Sequence, residues 1–263
     1  MIKKNLKIDD INIAYIDKGD KNKDDALIIL HGWGAYIESI MPIFNLIEDR
    51  YVFAYDAPGF GASDAPNEVW GTYEYSEFLK KILDKLNLKS ASFIGHSFGG
   101  KTLSIFAAKY PERVKGLVLI DASGVLPKRT FDYYFKVYSY KLMKNIYRIF
   151  KPFIGEKKLE SFKKSRGSDD YNAAQGIMRK IFVKVVNEST ESYFEKIKAD
   201  TLLIWGKNDD ATPLYMGEVF NKKIKNSGLV VLDGGHYSYL DDFNSFGPVL
   251  RSYLGEIKWI LEF

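Results

Sequence analysis

The 263-residue chain predicts an α/β fold, a doubly wound and mostly parallel sheet with an inserted helical cap. Three observations carry that expectation. Short continuous apolar runs recur, each fitting one strand covered on both faces. Helix-length segments separate most of them, as right-handed crossovers between parallel strands require. The alternation stops once, between Gly124 and Lys198, where no buried-strand run is found.

Leu6 to Ile16 alternates in patches and runs into the charged, turn-rich stretch Asp17 to Asp25, the pattern of an edge hairpin or two short strands. ALIILHG (26–32) is the first continuous apolar run. YVFAYDAPGFG (51–61), ASFIGHS (91–97), GLVLIDASG (116–124), TLLIWGKND (201–209) and GLVVLDGGH (228–236) repeat the design. Helices are expected at 37–49, 73–88, 98–110, 213–222 and 241–255. The strand runs end in His31-Gly32, Asp56, Ser97, Asp121, Asp209 and His236. In doubly wound sheets reactive groups gather at those carboxyl ends.

The interruption divides the chain into a core, 1–124 with 200–263, and a cap, 125–199. Phe131, Phe135, Tyr138, Leu142, Ile146 and Ile149 follow a three- and four-residue rhythm, one face of a helix that Pro152 should end. Ser168 can cap a second helix running through Met178, Ile181, Phe182 and Val185. The cap carries 17 Lys/Arg against 8 Asp/Glu, and the rest of the chain 21 against 26. Such a patch is not the basic coat of a nucleic-acid binder. Of its 75 residues 14 are Phe or Tyr, so Phe131, Phe135, Tyr138 and Leu142 are expected to line a substrate pocket. The alternative, an amphipathic helix lying on an anionic membrane, is the lesser expectation.

Hydrophobic residues make up 46% of the chain, enough for a sizeable core. Cysteine is absent, which excludes disulfides and thiolate chemistry and fits a reducing compartment. Met1-Ile2-Lys3-Lys4 is followed by no apolar signal region, and no run approaches membrane-spanning length. A cytoplasmic protein is expected.

FIGHSFGG, 93–100, carries the chemistry. A serine hydroxyl becomes a nucleophile when a base takes its proton, and it must stand clear of the backbone. A sharp strand-to-helix turn achieves this but crowds the residues two before and two after, where Gly95 and Gly99 stand. The helix amino end also presents the Phe98 amide to a developing oxyanion. Ser97 is therefore the expected nucleophile.

HGWG (31–34), DAPGFGAS (56–63), GHSFGG (95–100), GKNDDATP (206–213) and GGH (234–236) together resemble the α/β-hydrolase superfamily, over about 26–124 and 200–255. That resemblance implies a triad in the order nucleophile, acid, histidine. His236, after the last strand, would be the general base, and His31 and His96 structural residues. Asp209 would be the acid, with Gly206 and Pro213 in the register of the family's G-x-x-D-x-x-x-P pattern. Adjacent Asp210 and Asp121 at the preceding strand end remain alternatives. The second oxyanion amide would come from Trp33, in the turn after His31-Gly32. DAPGFGAS would be a structural turn; its G-x-G lacks the remainder of a phosphate-binding motif.

The resemblance implies hydrolysis of carboxylic esters of small to medium acyl or aromatic substrates through an acyl-enzyme, with no metal or organic cofactor. Carbon–carbon bond hydrolases and thioesterases share the machinery, and a receptor with slow turnover is the alternative of another class. A small-molecule ester is the expected partner, an acidic acyl carrier a lesser one.

Overall fold

The computed structural model describes residues 2–21, 25–128 and 169–255. Eight strands form one sheet: β1 (Lys4–Ile8), β2 (Ile11–Lys18), β3 (Ala26–Leu30), β4 (Tyr51–Tyr55), β5 (Ala91–His96), β6 (Val114–Ile120), β7 (Thr201–Gly206) and β8 (Ser227–Leu232). Their spatial order is β1-β2-β4-β3-β5-β6-β7-β8. From β4 to β8 every pairing is parallel. The amino-terminal hairpin forms at one edge of the sheet as expected, with β1 outermost and β2 paired antiparallel with β4 from Tyr15 to Lys18.

Alternation along the strands sorts the core into two layers. Ile28, Phe53 and Phe93 face one side, where α2 (Thr72–Lys85), α3 (Phe98–Lys109) and α7 (Leu214–Lys223) bring Leu79, Phe106 and Phe220. Leu27, Val52 and Ile94 face the other, against Phe44 of α1 (Met41–Leu46) and Phe246 of α9 (Phe243–Tyr253). Both faces are covered, which is why the strands read as unbroken apolar runs rather than as alternating ones.

One predicted helix is subdivided: the 37–49 segment opens as a 3₁₀ turn at Ile37–Ile40 before α1. The helix expected at 241–255 is α9, capped by Asp242, whose side chain accepts from the Ser245 amide. Between His236 and that helix lies a further helical turn, α8 (Ser238–Asp241).

Between β6 and β7 lie α4 (Asp169–Ala173), α5 (Gly176–Asn187) and α6 (Glu191–Phe194). The single helix expected from Ser168 through Val185 is instead two, interrupted at Ala174-Gln175 before Gly176 at φ +52°. Residues 129–168 lie outside the described residues, and with them Phe131, Phe135, Tyr138, Leu142 and Ser168. On α5, Ile181 and Val185 pack with Phe60, Tyr75 and Phe98. The insertion thereby covers the carboxyl ends of the central strands. Among the described residues no helix is long and apolar enough to cross a membrane.

Candidate active site

Ser97 joins β5 to α3 with φ +49° and ψ −109°, a conformation that side-chain-bearing residues rarely hold. Neighbours over-determine it. Its amide donates to the Ile120 carbonyl at 3.0 Å, and its own carbonyl accepts from Ser123 at 3.1 Å and Lys101 at 3.0 Å. The flanking glycines are required by space: a Cβ on Gly95 would lie 2.6 Å from the Gly100 amide nitrogen, and one on Gly99 2.5 Å from the Leu30 carbonyl oxygen.

The Ser97 hydroxyl donates to His236 Nε2 at 3.0 Å, and His236 Nδ1–H donates to Asp209 Oδ2 at 2.9 Å. Asp209 is buried in the turn after β7, where Oδ1 accepts from the Ala211 and Thr212 amides, both at 2.8 Å. Burial alone would raise its pKa. The His236 bond and the Thr212 amide and hydroxyl outweigh that and hold the carboxyl below the usual range. Asp210 is exposed.

Asp121, the alternative acid, does not meet His236. It is fully buried at the end of β6, with Oδ1 accepting from the Gly206 amide at 2.8 Å and Oδ2 from Ser238, amide at 3.1 Å and hydroxyl at 2.7 Å. Burial pushes its pKa up to about 7, against those hydrogen bonds. It ties the end of β7 to the start of α8, and so braces both loops that hold Asp209 and His236.

The other two histidines are buried and structural. His31 Nε2 accepts from the Ala57 amide at 2.9 Å, which leaves Nδ1–H to donate to the Gly32 carbonyl at 2.7 Å. His96 Nε2–H donates to the His236 carbonyl at 2.7 Å, fixing the backbone there. Burial, then the adjacent His236, lowers the His96 pKa to about 3, so the ring is neutral.

Trp33 follows Gly32, and Phe98 opens α3, so the Phe98 amide is one of the first-turn donors that a helix leaves without an internal acceptor. Their rings meet edge to face at 5.3 Å, and Trp33 also packs on Phe60 at 4.8 Å and Phe182 at 5.3 Å. Asp56 organises the same region. Fully buried, it accepts from the Ile37 amide at 2.7 Å, the Ala62 amide at 2.9 Å and Lys3 Nζ at 2.9 Å. The DAPGFGAS stretch is thus a brace for the loop that carries Trp33.

Ser97, His236, Trp33 and Phe98 line one cavity of about 520 Å³, within the span of small-molecule sites. Val125, Leu126, Phe182, Val185 and Met216 make much of its wall apolar. Among the described residues no cluster of metal-ligating side chains occurs. Such an arrangement can draw a proton from a serine hydroxyl and hold the resulting imidazolium beside a carboxylate.

Three residues of this region escaped the sequence reading. Thr212, within GKNDDATP, reaches Asp209 Oδ2 at 2.7 Å and lies 3.3 Å from His236 Nδ1. Lys101 is buried beside the cavity, and Glu188 of the insertion bonds to Thr72. Nothing local marked the last two, because their partners lie on distant segments.

The family model for the alpha/beta hydrolase fold matches residues 25–155 and 142–243, and the chain belongs to that family. It is 27% identical to a 2-hydroxy-6-oxononadienedioate/2-hydroxy-6-oxononatrienedioate hydrolase of Pseudomonas putida, over 93% of this chain and 92% of that protein. It is 25% identical to a poly(3-hydroxyalkanoate) depolymerase of Ectopseudomonas oleovorans, over 95% and 91%. Among solved structures, a meta-cleavage product hydrolase from Pseudomonas fluorescens superimposes with a TM-score of 0.71 at 21% identity, covering 96% of this chain and 97% of that one.

Proposed function

We propose that the protein is a serine hydrolase of carboxylic esters with small to medium acyl or aromatic groups, acting through an acyl-enzyme. The observation that carries this reading is the unbroken row Ser97 Oγ–His236 Nε2, 3.0 Å, and His236 Nδ1–Asp209 Oδ2, 2.9 Å, beside an apolar-walled cavity. Ser97 Oγ attacks the ester carbonyl as His236 Nε2 takes its proton, while Asp209 holds the ring's tautomer and stabilises the imidazolium. The carbonyl oxygen, now an oxyanion, is met by the Trp33 and Phe98 amides. His236 returns the proton to the leaving alkoxide. A water deprotonated by His236 then attacks the acyl-enzyme, releasing the acid and restoring Ser97.

A second reading draws on the relatives. The Pseudomonas putida protein is named a hydrolase of 2-hydroxy-6-oxononadienedioate and 2-hydroxy-6-oxononatrienedioate, and the same serine, base and amides suit hydrolysis of a carbon–carbon bond. Side-by-side turnover of p-nitrophenyl esters of graded acyl length and of a vinylogous 1,5-diketone separates the two. Fluorophosphonate should label Ser97 and abolish turnover, and Ser97→Ala should do neither labelling nor hydrolysis. Labelling without turnover of any ester would overturn the esterase reading in favour of the diketone hydrolase, or of a receptor if the diketone is also untouched.

A further inference from the structure

Lys101 is a buried cation that the hydrolytic cycle leaves unused. It lies one turn beyond Ser97 on α3, with 4% of its surface exposed. Its ammonium donates to the Val185 carbonyl at 2.6 Å and to the Glu188 carbonyl at 2.7 Å, at the carboxyl end of α5 and just past it. An ammonium has three protons, and these two carbonyls take two. The acidic group beside it is Glu188, whose Oε2 accepts from the Thr72 amide and hydroxyl, both at 2.8 Å, at the amino end of α2. That carboxylate is drawn toward the positive end of another helix. Burial lowers the Lys101 pKa to about 8, and Glu188 offsets it only in part. The carbonyl end of α5 favours a cation, and among the described residues one N–H of the ammonium is left without an acceptor.

Lys101 also lines the cavity that Ser97 and His236 line; it is the only lysine or arginine among the described lining residues, and Glu188, with Oε2 engaged by Thr72, is the only acidic one. A methionine would fill the same space without a charge to desolvate. We propose that the Lys101 ammonium is a subsite for a carboxylate borne by the substrate, remote from the carbonyl that Ser97 attacks. The distance from the attacked carbonyl to the ammonium sets the matching spacer, so half-esters of graded length are compared. The preferred substrate is then the half-ester of a dicarboxylic acid. The reaction named here rests on the esterase reading; the anion subsite does not.

The test compares the monoethyl esters of glutaric, adipic and suberic acids with ethyl pentanoate, hexanoate and octanoate, each of which has a methyl group in place of the carboxylate. At the best-matched length wild-type kcat/KM should favour the half-ester by roughly tenfold or more, the worth of a charge-assisted hydrogen bond. Lys101→Met should bring that ratio close to one. A ratio of two substrates on one preparation does not depend on the fraction of folded enzyme. Equal wild-type values at every length, or a preference that survives in Lys101→Met, overturn the subsite while leaving the esterase reading intact. If no ester is hydrolysed, the esterase reading fails and the same pairs are compared as protectants of Ser97 against fluorophosphonate. Protection by one half-ester at tenfold lower concentration than its partner, lost in Lys101→Met, upholds the subsite; equal protection throughout overturns it.

Discussion

Asp121 and Asp209 end neighbouring strands and are both buried, yet their carboxylates face different groups. Asp209 meets His236; Asp121 meets the Gly206 amide and Ser238. Asp209→Asn should lower kcat by roughly 10⁴, as loss of the correct tautomer does in a well-studied triad. Asp121→Asn should lower kcat at most about tenfold and cost about 1–3 kcal/mol in urea unfolding, because the amide offers one acceptor oxygen to three donors. The reverse ranking of the two kcat losses would move the acid to Asp121. His96 belongs to the same scale. Its pKa falls from the ordinary 6.5 to about 3, so the unfolded chain takes up the proton more readily. The stability it contributes is complete above pH 6.5 and is lost as pH falls toward 3, by about 1.4 kcal/mol per unit. Between about pH 7 and 4.5, His96→Gln should therefore lose on the order of 2 kcal/mol less than wild type in the free energy of urea unfolding. An equal or greater loss in the variant contradicts this.

At the scale of elements, the β5–α3 junction decides where Ser97 stands. Gly99 is pressed on Leu30 and His31 carbonyl oxygens, so an added Cβ would meet backbone at 2.5 and 2.8 Å. In β8 a Cβ on Gly228 would meet nothing within 4 Å. Gly99→Ala should cost about 2 kcal/mol or more and most of the activity, whereas Gly228→Ala should stay within about 0.5 kcal/mol. Thermal unfolding of the pair checks it; equal costs would mean that α3 does not pack as tightly on the end of β3. The elbow was legible in the chain because a strand run, two spaced glycines and a helix follow one another directly. The division of the insertion's helix was not. Gln175-Gly176 carries no strong stop signal, and the apolar rhythm of Met178, Ile181, Phe182 and Val185 runs on beyond it.

Over the whole molecule, the insertion is held to α2 and α3 by polar ties as well as by its apolar face. Glu188 satisfies the Thr72 amide and hydroxyl at the start of α2, and Lys101 satisfies carbonyls at the end of α5. Glu188→Ala leaves the buried Thr72 without that acceptor. We expect a stability loss of about 1–3 kcal/mol and a several-fold rise in KM with a smaller change in kcat, since the row of Ser97, His236 and Asp209 is untouched. Steady-state kinetics with a p-nitrophenyl ester checks the split, and a fall confined to kcat would place Glu188 in the chemistry instead.

Strand runs, the glycine-flanked serine and the polar residues closing each strand are local patterns, so the amino-acid order alone determined the parallel sheet and the edge at which its reactive groups stand. Partners chosen across the chain were a matter for the tertiary structure: Ser97 meets His236 across 139 residues, and Asp209 rather than Asp121 completes the row. The reason is physical. Periodicity reports which face a side chain takes, but a hydrogen bond forms only within about 3 Å. That distance is set by strand register, loop bracing and the packing of segments that no local window contains.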